Sequence, residues 1–124
     1  MHSKTSRLLL ALVFVTAGLL HFIYPDPYIR VVPPWLPAPA VLVIISGVCE
    51  IAGGLGLLWR ASRRWAGYGL IALCLAVLPA NVQMLLDAQA SAASLAWQVA
   101  LWARLPLQLA LITWIWFASR DDRK

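Results

Sequence analysis

One carboxylate stands in an otherwise apolar stretch, SGVCEIAGGLGLLW (46–59): Glu50. In LWARLPLQLA (101–110), Arg104 and Gln108 are four residues apart, a spacing that puts them on one helical face. His21 closes a long apolar run, and Asn81 follows Pro79 in LPANVQM. These residue types define a limited chemistry. Glu50 or His21 can carry a proton, and Arg104, Asn81 and His21 can donate hydrogen bonds to carbonyl oxygens. Trp97, Trp102 and Phe22 are the aromatic residues available to flank a flat ring.

Other chemistries are absent from the pattern. Cys49 and Cys74 form no Cys-x-x-Cys pair, so they read as buried structural residues and not as a redox motif. His2 is in the N-terminal tail, and no spacing resembles a metal-ligand cluster, a haem motif or a glycine-rich nucleotide loop. No catalytic residue, metal or intrinsic cofactor is assigned.

The elements that position these residues follow from hydropathy. The chain has 124 residues, read as a single domain (1–124), with 62% hydrophobic and 12% charged residues and a mean hydropathy of +0.79. A soluble domain is about 45–50% apolar and about 25% charged, so a soluble helical fold is a poor fit. Four apolar segments, about 8–24, 40–59, 65–86 and 95–118, each approach the ~20 residues that cross a bilayer as a helix. The expectation is an all-α, integral membrane four-helix bundle.

The net charge of +5 does not form a nucleic-acid face. Lys4, Arg7, Arg60, Arg63, Arg64, Arg120, Arg123 and Lys124 fall on one side of a four-span topology, and only Arg30 and Arg104 lie elsewhere. That distribution predicts both termini in the cytoplasm. Trp59, Trp65, Trp114 and Trp116 would mark the inner interface, Trp35 and Trp97 the outer one. The charged start before LLLALVFVTAGLL also fits a signal peptide. Cleavage there would leave the charge-poor loops on the wrong side, and Val15-Thr16-Ala17 is a poor cleavage site.

The first outer loop, YPDPYIRVVPPWLPAPA (24–40), holds six of the eight prolines. Asp26 before Pro27 predicts a helix N-cap, YIRVV one or two turns, and Pro33-Pro34 the stop. The loop reads as an interfacial lid, or as a stiff connector.

Glu50 then falls near mid-membrane, with Ser46, Gly47, Gly53 and Gly54 at helical offsets of three and four. Small residues mark a packing face, so Glu50 points into the bundle. An isolated intramembrane charge is costly, and an ion pair with Arg104 is the expected solution. Pro79 should free the carbonyl of Leu75, and Pro106 that of Trp102. The spans thus converge on one polar layer in the outer half: His21, Glu50, Asn81, Arg104 and Gln108. Gln83 turns to another face than Asn81, and Asp87 reads as a solvated helix end. The layer is either a ligand pocket or interhelical glue.

The chain resembles the DoxX-like family of small bacterial four-helix membrane proteins. The resemblance rests on AGLLHFIYPDPYIRVVPPWLP, SGVCEIAGGLGLL, PANVQM and RLPLQ, in order and across nearly the whole chain. It marks Gly18, His21, Phe22, Pro25, Pro33, Gly47, Glu50, Pro79, Asn81, Arg104, Pro106 and Gln108. It implies association with thiosulfate:quinone oxidoreduction, sulfur metabolism or oxidative-stress complexes. The resulting expectation is a redox-associated, quinone-linked membrane subunit, its electrons supplied by a soluble or membrane redox partner. The alternatives are a non-enzymatic anchor or assembly factor, and a carrier or receptor for a small lipophilic molecule. A chain this short would need a homo-oligomer to transport anything.

Overall fold

The computed structural model describes residues 3–30 and 32–120. His2, Arg123 and Lys124 lie outside the described residues. Among those described, the chain is all-helical: α1 (Ser3–Ile23), α2 (Pro25–Arg30), α3 (Pro39–Gly56), α4 (Arg60–Ala90) and α5 (Leu95–Ala118). Four of them, α1, α3, α4 and α5, are long and apolar enough to cross a membrane. Their outward surfaces are apolar: Leu12, Ile45, Leu75, Trp102, Leu107 and Phe117 are all exposed.

Local chemistry sets the helix ends. α1 stops at Ile23 because Pro25 disfavours helical backbone at Tyr24. Pro25 then opens α2, so Asp26 lies inside the first turn and is not the N-cap its sequence position implied. Ala38 adopts a left-handed backbone (φ 48°), turning the chain into α3 with Pro39 first. At the other end of α3, Ser62 Oγ donates to Gly56 O (2.8 Å) and Arg63 Nε to Leu57 O (2.9 Å). These bonds satisfy carbonyls that a helix end leaves open. Ser94 caps α5, its hydroxyl accepting from Trp97 N at 3.2 Å.

The four long helices form a ring in which each packs on two neighbours: α1 on α3 and α5, α4 on α3 and α5. No α3–α5 or α1–α4 packing occurs among the described residues. Close van der Waals approach between small residues holds such a ring. A Cβ on Gly18 would sit 2.6 Å from Gly47 O, so α1 and α3 touch backbone to backbone. Gly53 receives Leu70 and Gly56 receives Ala66 from α4, while Gly67 of α4 receives Ser119 at the end of α5.

The two ends of the bundle differ. At the basic end, Leu10, Phe14, Leu57, Leu70, Cys74, Ile115 and Ala118 build a core drawn from every side of the ring. Arg7 and Arg63 are buried there, and Arg7 reaches Ala118 O of α5 at 3.5 Å. At the proline end, the core is Leu85, Ala88 and Leu101, from α4 and α5 alone. α1 does not reach it. Glu50, level with the outer end of α1, lies about 16 Å along α3 from Pro39, at 1.5 Å per residue. Beyond Ile23 the chain continues as α2 and the proline loop, and α2 packs on α1 and α3 only.

Candidate functional site

The termination of α1 places His21 two residues from a helix end at half the height of α3. His21 is buried, at 8% exposure. Its Nδ1 lies 2.7 Å from Ala17 O one turn back. A carbonyl oxygen only accepts, so Nδ1 carries the proton and donates it there. Nε2 is thereby left facing Glu50 Oε2 of α3 at 3.5 Å. A proton on either Nε2 or Glu50 Oε2 would point at the other atom. The separation is longer than a hydrogen bond, so a small movement or a bridging group closes it. Gly47, one turn from Glu50, makes room for this meeting: a Cβ there would lie 2.9 Å from His21 Cβ. The third member is Tyr28 of α2, whose ring stacks on His21 at 4.0 Å between centroids and 18° between planes.

A second polar group joins α4 to α5. Asn81 Nδ2 donates to Gln108 Oε1 (3.2 Å), and Gln108 Nε2 donates to Cys74 O (3.0 Å). Pro79 interrupts α4 within this segment. The acceptor is Cys74 O, one residue before Leu75, whose carbonyl the proline rule leaves open. Cys74 is buried in the core, whereas Leu75 is exposed, so only the former is within reach of α5. Glu50 is also within electrostatic range of the Cys74 side chain. Asn81 and Gln108 thus meet beside the Cys74 carbonyl, and His21 and Glu50 form a separate contact between α1 and α3. No buried side-chain nitrogen or oxygen among the described residues lacks a hydrogen-bond partner.

Arg104 is not part of this group. The expected Glu50–Arg104 ion pair is not formed: the partner of Glu50 is His21, and Arg104 is exposed with NH1 3.8 Å from Met84 Sδ. The ring topology explains the difference, because α3 and α5 are not neighbours. Arg104 also lies one turn beyond Gln108, past the level where α1 ends.

The remaining aromatic candidates disperse: Trp97 and Trp102 are exposed on α5, and Phe22 lies against Gly47. Gln83 and Asp87 bond each other at 3.0 Å on the surface of α4. Trp35 reaches over α4, closing an open cleft of about 430 Å³ against Leu75, Leu78, Pro79, Val82 and Gln83. Cys49 is exposed, contrary to the buried reading, and Cys74 is buried. No group of three or more metal-ligating side chains occurs among the described residues. Sequence reasoning missed Tyr28 as the neighbour of His21. The signal was Tyr24-Pro25, which ends α1 and folds the next turn back.

The fold and site define an all-helical bundle with four potential membrane spans and a buried histidine–glutamate pair at its middle. The chain belongs to the family described as Domain of unknown function (DUF8561), whose family model covers residues 10–119. No curated protein and no solved structure matches it.

Proposed function

We propose that this protein is a DoxX-like, redox-associated subunit of the bacterial inner membrane, with both termini cytoplasmic, that holds a lipophilic quinone at His21 and Glu50. The observation that carries the reading is the pair itself. An imidazole of α1 and a carboxylate of α3 meet 3.5 Å apart, with Gly47 making room for the approach. Intramembrane titratable groups mark ligand or proton pathways by default. Reduction of a quinone to its quinol consumes two electrons and two protons. A partner redox protein supplies the electrons, and His21 and Glu50 hand on the protons, one carbonyl oxygen at a time.

The test is purification of the wild type and Glu50→Gln in mild detergent, with mass spectrometry of all co-purifying small molecules and proteins. A quinone retained by the wild type and lost from a variant of equal melting temperature supports the reading. An unchanged small-molecule profile overturns it. Loss of a protein partner alone would make the chain an anchor or assembly factor.

A further inference from the structure

We infer that the face of the His21 ring now covered by Tyr28 is the docking face for a planar, carbonyl-bearing ring, with Tyr28 its displaceable stand-in. This rests on the quinone reading above and specifies where the headgroup lies and what guards it. His21 is held by the Ala17 carbonyl, and its Cβ packs close on Gly47. One face of its ring is stacked by Tyr28, at 4.0 Å and 18°.

That side chain is weakly held. α2 has six residues, none of them buried, and packs on α1 and α3 only. A helix so short does not persist in isolation. Among the described residues, the Tyr28 hydroxyl makes no hydrogen bond, so only the ring is used. A phenol ring and a quinone headgroup have the same outline. A ligand ring replacing Tyr28 would recover the stack and also place a carbonyl oxygen at the His21–Glu50 edge, which the tyrosine does not exploit. Pro25 and Pro27 in its first turn and Pro33-Pro34 after it stiffen the segment, so it can swing as a unit.

The experiment is acylation of His21 by diethylpyrocarbonate in detergent-purified protein, read by mass spectrometry on the His21 peptide. Tyr28→Phe keeps the stack and should be labelled at the wild-type rate. Tyr28→Ala should be labelled at least about tenfold faster, because the covered state no longer dominates. Adding a quinone with a ten-carbon tail should return Tyr28→Ala to the slow rate. If Tyr28→Ala labels no faster, Tyr28 does not guard the ring and the inference falls. If it labels faster but the quinone does not protect it, ring docking on this face is wrong. The co-purification experiment then decides separately whether the quinone reading survives. Melting temperatures control for unfolding, and Tyr28→Leu replaces Tyr28→Ala if the latter does not fold.

Discussion

His21 of α1 and Glu50 of α3 meet with Nε2 and Oε2 3.5 Å apart, and α1 ends two residues later. The two facts belong together. A longer α1 would carry continuous helix past His21. The stop at Ile23 leaves it beside the short α2, whose Tyr28 stacks on its ring. The pair is thus both satisfied and reachable, which a purely structural ion pair does not require.

Removing one member should be costly in a way that neutralising the other is not. His21→Ala leaves Glu50 buried without its partner and should destabilise by about 3 kcal/mol. Glu50→Gln still offers His21 a polar neighbour and should cost under about 1 kcal/mol. Thermal unfolding in detergent checks both, and equal losses would contradict the arrangement.

The α1–α3 contact should tolerate no side chain. Gly18→Val brings a Cβ to 2.6 Å from Gly47 O, a backbone atom that cannot step aside. A loss of about 3 kcal/mol or non-folding is expected. Gly69 has open space around it, so Gly69→Ala should be neutral or slightly stabilising.

Gln108 joins Asn81 to the Cys74 carbonyl across α4 and α5. Gln108→Ala strips partners from both and should cost about 1–3 kcal/mol. Asn81→Ala removes only the Asn81–Gln108 bond and should cost less. Melting temperatures of the two variants give the order.

Arg104 should matter little to the fold. It is exposed and has only the Met84 sulfur nearby, so Arg104→Gln should shift stability by under about 0.5 kcal/mol. A loss comparable to that of His21→Ala would show that Arg104 balances Glu50 after all.

Hydropathy made the four long helices legible, and the span expected at 95–118 coincides with α5. The small residues flanking Glu50 correctly set its inward face. Its partner was not legible from them. Depth counting put Glu50 and Arg104 near one level, but it carries no information on which helices are neighbours. The ring order, with α3 and α5 apart, gave the glutamate to His21. The level of His21 was equally hidden, because periodicity locates α1 along the chain and not its height against α3. The glycine-to-backbone contact at Gly18 and Gly47 sets that height.

The most direct test of the account is the affinity for a quinone with a ten-carbon tail in the wild type, His21→Gln, Glu50→Gln, the double variant and Arg104→Gln. The account predicts that each pair variant loses about tenfold (~1.4 kcal/mol) and that the double variant loses little more than the weaker single, since the two act as one unit. Arg104→Gln should bind within about twofold of wild type, well under ~1 kcal/mol. Unchanged affinity in both pair variants, or a loss confined to Arg104→Gln, would contradict a ligand site built on His21 and Glu50.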